Sequence, residues 1–173
     1  VDVFFNELNE DDNEPIFEGT DEGGEYSFQY NENSLDEDVI GTVSANDGDG
    51  ENVTYSIKTN VLNESDEPLF EIDSATGEIS LTVAGVAAFT NDFELEANIH
   101  EIIVTATEDD GLGTIKSTDV TVNLEELDLD DNAPVFADTD ESGEYNFEYN
   151  ENSVDADVLG TVSASDADGE NIT

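Results

Sequence analysis

The sequence predicts an all-β protein made of tandem modules, each folded as a seven-stranded Greek-key β-sandwich. Three observations support this fold class: the apolar residues fall in short β-branched runs, polar residues alternate with them, and one long pattern recurs at a fixed offset. Alternation with a period of two places the apolar side chains of a run on one face of a strand. We therefore expect sheets rather than helices.

Three segments of the chain recur 119 residues later. They are residues 12–17 (again at 131–136), 25–34 (at 144–153) and 41–45 (at 160–164). The constant offset indicates tandem modules of one size rather than chance matches among acidic residues. The predicted division is 1–13 for the C-terminal strand and linker of a preceding module, 14–132 for one complete module, and 133–173 for the N-terminal part of a following module.

Seven runs of the complete module are predicted to be strands, which is the number typical of a Greek-key sandwich. In chain order they lie near residues 26–30, 39–45, 53–57, 69–72, 78–83, 99–107 and 115–124. Residues 74–77 end in glycine and are typical of a hairpin turn between the fourth and fifth strands. Residues 85–89 favour a single helical turn.

The expected core consists of the apolar residues at the inward positions of these runs. They are Phe28, Ile40, Val43, Tyr55, Ile57, Phe70, Ile72, Ile79, Leu81, Phe93, Ile102, Val104, Val120 and Val122. His100 is interpreted as a residue on a strand face rather than a ligand. Residues 133–173 are too few to bury a core of their own, so we expect them to depend on neighbouring chain.

The charge of the chain excludes several classes of function. It carries 47 acidic and 2 basic residues, for a formal net charge of −45. With Lys58 and Lys116 as its only basic side chains, it cannot surround the phosphates of a nucleic acid or an anionic membrane. The absence of cysteine and the single histidine exclude thiolate and histidine-based metal sites. No nucleophile with a base and no phosphate-binding loop is recognisable, so no enzyme is predicted.

Acidic residues crowd together at the two predicted module boundaries. Asp and Glu make up five of the eight residues in 7–14 and five of the seven in 125–131. Unpaired carboxylates a few Å apart repel by about 1 kcal/mol or more per pair, so a cation is expected there. Ca²⁺ fits best, because it accepts many carboxylate, amide and carbonyl oxygens, whereas Mg²⁺ retains water. Residues 47–58 are not an EF-hand loop, since Asn52 and Lys58 stand where Gly and Glu are required.

Five segments resemble motifs of the cadherin family, in the family's order, and are most similar to the cadherin-like repeats of large bacterial surface proteins. They are residues 30–34 (YNENS), 45–52 (ANDGDGEN), 92–94 (DFE), 106–109 (ATED) and 128–136 (DLDDNAPVF). The resemblance implies a sandwich of the cadherin or immunoglobulin type. It also implies that Ca²⁺ binds where successive modules meet.

The resemblance implies about three Ca²⁺ at the second boundary. The implied ligands are Glu32, Asp92, Glu94, Asp128, Asp130, Asp131, the carbonyls of Leu129, Asn132 and Asn171, and Asp166 and Asp168. At the first boundary they are Asn9, Asp11, Asp12, Asn13, Asp47, Asp49, Glu108 and the carbonyl of Asn52. Asn9 and Glu108 stand where the family usually has Asp, which predicts weaker binding, and Asp109 could substitute for Glu108.

These observations predict a non-catalytic, extracellular module, which acts as a calcium-rigidified spacer or adhesive repeat in a long cell-surface protein of bacterial type. The expected partners are neighbouring modules of the same kind. Two alternatives remain open: direct binding of a carbohydrate or another cadherin-like module, and assembly as a subunit of a cell-surface fibre. Sugar binding predicts exposed aromatic side chains, and Tyr26 and Tyr145 are the ones to inspect.

Overall fold

The computed structural model describes residues 1–88, 91–95, 98–109, 114–169 and 172. They fall into two compact units, 1–128 and 129–173. The module limits expected from the repeat stay predictions, because a compact unit need not end where a repeat does. The only helix among the described residues, Val83–Val86, is far too short to span a bilayer.

The described part of the first unit contains nine strands and one short helix. They are β1 (Ile16–Glu18), β2 (Tyr26–Asn31), β3 (Gly41–Thr42), β4 (Ser44–Asn46), β5 (Val53–Thr59), β6 (Phe70–Ile72), β7 (Glu78–Leu81), α1 (Val83–Val86), β8 (Ile99–Glu108) and β9 (Ser117–Leu127). The hairpin turn predicted between the fourth and fifth runs joins β6 to β7, and Gly77 adopts its positive φ of 75° there. That prediction is confirmed.

Two sheets pack face to face in the first unit. The larger has the strand order β2-β9-β8-β5 and the smaller has the order β3-β7-β6, while β1 pairs with β4 separately. β2 runs parallel to β9, and the other pairs are antiparallel. The predicted all-β sandwich is confirmed, and it has seven strands in its two sheets.

The core lies between these sheets and agrees largely with the predicted inward residues. Buried residues from that prediction are Val43, Tyr55, Phe70, Ile79, Leu81, Ile102, Val104, Val120 and Val122, while Phe28, Ile40, Ile57 and Ile72 pack against them at partial burial. The prediction for Phe93 is wrong: it is half-buried outside the core, because it lies in a turn rather than on a strand. Core residues not predicted are Tyr26, Tyr30, Leu69, Ala106 and Leu124.

His100 lies on a strand, β8, as predicted, and the structure places its side chain in the core. It is buried, and the centroid of its ring is 5.7 Å from that of Phe70.

The strand predicted near residues 39–45 is interrupted, because the chain changes partners at Val43. β3 pairs with β7 in the smaller sheet, whereas β4 pairs with β1. β1 has only three residues, too few for a visible alternation, and it was not predicted. The helical turn begins earlier than expected, at Val83, because the Thr82 hydroxyl caps it by accepting from the Gly85 N–H. Phe89 of the predicted turn lies outside the described residues.

Gly41 is required where β3 crosses the ring of Phe28. A Cβ at this position would lie 2.3 Å from ring atoms, far inside van der Waals contact. We expect Gly41→Ala to destabilise the first unit by about 1–3 kcal/mol, because the ring must leave its packed position. Urea unfolding measures this, with Gly23→Ala as the control, since its Cβ would meet only the flexible Asp21 side chain. Equal midpoints for the two variants would contradict the expectation.

The second unit repeats the beginning of the first. β10 (Val135–Ala137) pairs antiparallel with β11 (Ser163–Ser165), as β1 pairs with β4. The hydroxyl of Tyr145 donates to the carbonyl of Ala137, as that of Tyr26 donates to Glu18. The apolar residues differ in burial: Tyr149 is 69% exposed, whereas Tyr30, its equivalent in the repeat, is 6% exposed. In the described part of residues 129–173 the strands are β10 and β11, and neither corresponds to β8 or β9 of the first unit.

Candidate metal centres

Three carboxylates meet where β2 ends, and we call Glu32, Asp92 and Glu94 the Glu32 cluster. One oxygen from each side chain lies within 4.8 Å of the others. Glu32 directly follows β2 and is 2% exposed, while Asp92 and Glu94 are half-buried. All three were predicted as ligands, and Asp128, which was also predicted, has an oxygen within 4.8 Å of one from Glu94.

Backbone hydrogen bonds hold the turn 91–95 against the end of β2. The Phe93 N–H donates to Oε2 of Glu32 at 3.0 Å, and the Asn33 N–H donates to the Asn91 carbonyl at 3.3 Å. Asn33 has a φ of 59°, in the left-handed region that Asn tolerates better than most residues. The chain therefore reverses sharply after Glu32 and leaves its carboxylate beside the turn.

Glu126 is a buried carboxylate that the motif comparison missed. It occupies the inward position that follows Val120, Val122 and Leu124 along β9. Burial first, and then the negative charges of Glu32, Asp92 and Glu94, together raise the pKa of Glu126 to about 7. The signal was present in the sequence, because the period of two along β9 places Glu126 inside.

A second group of carboxylates lies at the opposite end of the larger sheet, and we call it the Glu51 cluster. It consists of two overlapping sets, Asp11 with Glu51 and Glu108, and Asp47 with Asp49 and Glu51. Asp47 and Glu108 are buried. Glu51, which belongs to both sets, was not predicted, although it follows the predicted Asp47 and Asp49 closely in sequence.

Asp49 fixes the segment that precedes β1. Its Oδ2 accepts from the backbone N–H groups of Asp12 and Asn13 at 2.9 and 2.8 Å, and its Oδ1 accepts from the Asn13 amide. These hydrogen bonds, that of the Asn13 backbone first, lower the pKa of Asp49. Asn9, also a predicted ligand, donates its side-chain amide to the Asp49 carbonyl.

The structure brings Glu108, rather than Asp109, into the Glu51 cluster. Burial raises the pKa of Glu108, while the hydrogen bond from the Lys116 N–H opposes this. Asp109 accepts instead from the Asn52 side-chain amide, and its own N–H donates to the Asn52 carbonyl at 2.9 Å. One lone pair of that carbonyl, a predicted ligand, is therefore already used.

Lys116 places a positive charge in the Glu51 cluster. Its ammonium contacts Asp11 and lies 3.7 Å from Oε1 of Glu108. Because a bound cation must compete with this ammonium, Lys116→Gln is expected to strengthen calcium binding by up to about fivefold, which corresponds to an ion pair of about 1 kcal/mol. Isothermal titration calorimetry measures this change.

Lys58→Gln is the matched control, because Lys58 pairs with Asp119 away from the cluster. Calcium affinity that is unchanged or weaker in Lys116→Gln would mean that Lys116 does not compete with the ion.

The predicted ligands of the second unit repeat the geometry around Asp49. The Asn132 N–H and side-chain amide donate to Asp168 at 2.8 and 2.7 Å, as those of Asn13 donate to Asp49. The Asp168 N–H donates to Oδ1 of Asp166 at 3.1 Å. Leu129, Asp130 and Asp131 are exposed, and Asn171 lies outside the described residues.

The donor set fits a hard cation. Every side-chain ligand is a carboxylate or an amide, and oxygen is the donor that Ca²⁺ prefers. Among the described residues, Oδ2 of Asp47, Oε2 of Glu108 and both carboxylate oxygens of Glu126 are buried without a hydrogen-bond partner. Buried charged groups normally have partners, so these oxygens are suited to a metal ion.

No protein-family model matches the chain. Human Cadherin-18 is 37% identical over 145 residues, covering 83% of this chain and 16% of its own length. Human Protocadherin Fat 1 is 31% identical over 175 residues, covering 99% of this chain and 3% of its own length. The chain thus spans only a small part of these relatives.

Solved structures share the fold. "Protocadherin gammaB7 EC3-6 cis-dimer structure" superposes with a TM-score of 0.70 at 22% identity, over 91% of this chain and 36% of that one. Mouse Cadherin-23 EC22-24 gives a TM-score of 0.62 at 22% identity, over 95% of this chain and 46% of that one. The relatives are cadherins and the solved structures are cadherin ectodomains of the same fold, and the chain is therefore composed of cadherin-like domains.

Proposed function

We propose that the chain is an extracellular adhesion repeat that binds Ca²⁺, and that the ions stiffen it as a spacer within a long cell-surface protein. One observation carries the proposal: the buried carboxylate of Glu32 lies within 4.8 Å of those of Asp92 and Glu94. At an effective dielectric constant of 20, two like charges 4 Å apart repel by about 4 kcal/mol. A divalent ion converts this repulsion into attraction.

The ligand count supports sharing of the ions along the chain. Each Ca²⁺ takes six to eight oxygens. The three carboxylates of the Glu32 cluster have six oxygens in all, too few for several ions. The acidic segment 128–132 follows β9 directly, and Asp166 and Asp168 come from the next repeat. We assign the remaining oxygens to these residues and propose about three ions in all. We call the connection between the two repeats the joint. If both repeats contribute ligands to the same ions, binding of the ions also straightens the joint.

Thermodynamic linkage gives the free energy by which bound Ca²⁺ stabilises the ordered joint. A ligand that binds only the ordered joint stabilises it by RT ln(1 + [Ca²⁺]/Kd), or about 1.4 kcal/mol at a tenfold excess over Kd. Extracellular calcium modules have Kd values of roughly 10⁻⁴ to 10⁻³ M. The joint is therefore stiff outside the cell and flexible at cytosolic calcium concentrations.

Calorimetric calcium titration with parallel thermal melts tests the proposal. We expect the wild-type chain to bind with roughly millimolar or tighter Kd and to melt at higher temperature with calcium. Asp131→Ala is expected to weaken both responses. Asp155→Ala, which removes an equally exposed carboxylate outside the motifs, is the control. No heat and no shift in the wild type would overturn calcium binding.

Small-angle scattering tests the stiffening separately. In millimolar Ca²⁺ we expect a larger maximum dimension and a narrower spread of shapes than in chelator. Equal dimensions in the two conditions would leave a calcium-binding chain that is not a calcium-stiffened spacer.

The alternatives receive less support. The hydroxyl of Tyr26 donates to backbone carbonyls and its ring is buried, so Tyr26 offers no face to a sugar. Tyr145 repeats these hydrogen bonds at partial burial. Other aromatic side chains, among them Phe4, Phe5 and Tyr149, are exposed. Carbohydrate binding and fibre assembly stay predictions. The relatives reported above are animal proteins, and the expected bacterial source likewise stays a prediction.

A further inference from the structure

We propose that Glu126 is a further calcium ligand of the Glu32 cluster, at a position that lies outside all five cadherin motifs. The inference rests on the proposed function, since it concerns the same ions. It assigns a fourth carboxylate to that end of the first unit and makes this site more acidic than the motifs alone require.

The strand register places Glu126 beside the cluster. In the parallel pairing of β2 with β9, Glu126 lies opposite Tyr30. Glu32 follows Tyr30 by two residues and therefore points to the same face of the sheet, diagonally next to Glu126. The pairing continues to the cluster, because the Glu32 N–H donates to the Leu127 carbonyl at 3.0 Å. Glu126 therefore lies next to the cluster, close enough for the charges of Glu32, Asp92 and Glu94 to act on it.

The buried environment of Glu126 would be stabilised by a bound cation. The residue is 1% exposed, and neither of its carboxylate oxygens has a hydrogen-bond partner among the described residues. The backbone is satisfied separately, since the Glu126 N–H donates to the Asn98 carbonyl at 2.8 Å. Leaving an ionised carboxylate buried without a partner costs several kcal/mol, of the order given for buried ions.

Neither lysine of the protein is available to Glu126. The sequence contains Lys58 and Lys116 and no arginine. Lys58 pairs with Asp119, and Lys116 pairs with Asp11 and Glu108. No lysine therefore supplies the positive charge that would stabilise ionised Glu126, and a cation bound by the neighbouring carboxylates would supply it.

The competing interpretation is that Glu126 stays neutral and is only part of the packing. Tyr30 lies opposite, and its buried hydroxyl also has no hydrogen-bond partner among the described residues. A neutral carboxyl group beside this hydroxyl would contribute nothing to ion affinity. The two interpretations differ in what happens to calcium binding when the charge alone is removed.

The test is calorimetric calcium titration of the full 173-residue chain and of Glu126→Gln. Gln keeps the size of the side chain and removes its charge. We expect at least a tenfold loss of affinity in one class of sites, because calcium affinity follows the number of charged ligands. Glu125→Gln is the matched control, since Glu125 is exposed on the adjacent position of β9 and accepts from the Gln29 amide at 2.7 Å.

Each outcome decides the inference. Loss of affinity in Glu126→Gln but not in Glu125→Gln supports it, and partial recovery in Glu126→Asp adds support, since Asp restores the charge with a shorter reach. Wild-type affinity in Glu126→Gln overturns it while leaving the proposed function intact. A wild-type chain that binds no calcium overturns both. Melting of each variant in chelator verifies folding, and a variant with a lower melting temperature is compared at a temperature where it remains folded.

Discussion

Replacing Glu32 by Gln is expected to remove most of the stabilisation that calcium gives to the chain. Glu32 is nearly inaccessible to solvent and lies within 4.8 Å of two other carboxylates. The amide oxygen of Gln can still accept from the Phe93 N–H, which donates to Glu32 at 3.0 Å. The substitution therefore removes charge from the site while keeping the hydrogen bond that holds the turn 91–95.

We expect Glu32→Gln to weaken calcium binding at least tenfold, equivalent to about 1.4 kcal/mol, at the sites that include this cluster. The calcium-induced rise in melting temperature should shrink accordingly. Glu37→Gln removes one carboxylate from an exposed turn and is the matched control. A full calcium response in Glu32→Gln would exclude this cluster as the binding site.

The calcium-free protein is expected to lose stability as the pH rises from 5 to 8, because of Glu126. In the folded chain burial raises the pKa of Glu126 to about 7, while in the unfolded chain a Glu has a pKa of about 4.3. Between these values the unfolded chain has released its proton and the folded chain still holds it. Stability that is present at low pH is therefore lost as the pH rises through the folded pKa.

We expect a loss of about 2 to 3 kcal/mol over this range, because about two pH units separate pH 5 from the folded pKa and each unit corresponds to about 1.4 kcal/mol. Glu32, Asp92 and Glu94 face Glu126 and contribute to the effect. Other acidic residues also titrate, so the comparison is the difference between wild type and Glu126→Gln in urea unfolding with chelator. A difference that does not change between pH 5 and 8 would contradict the assigned pKa.

The sandwich was predictable because it depends on periodicity, and the exceptions are where periodicity is weak. Runs such as β8 and β9 alternate over ten or more residues and leave little choice of structure. β1 and β4 have three residues each and are defined by pairing with each other, which no local pattern reveals. The partner change at Val43 likewise depends on the neighbouring strands.

The candidate site was predictable where a family motif covers it. Glu32, Asp92 and Glu94 belong to motifs, and the structure brings their carboxylates together. Glu126 lies outside the motifs, and Glu51 lies within one but has no ligand role there, so neither was predicted. The alternation along β9 nevertheless marks Glu126 as inward. The pairing of Lys116 with Asp11 depends on residues far apart in sequence and is visible only in three dimensions.

The parallel pairing of β2 with β9 has a mechanical consequence. The strand that leads into the sandwich lies next to the one that leads out, with Tyr26 opposite Val122 and Asn31 opposite Leu127. Tension applied between the start of β2 and the end of β9 slides these strands past each other in opposite directions. Their hydrogen bonds then bear the load in parallel and must rupture together, so each such domain resists stretching far better than a hairpin that unzips one bond at a time.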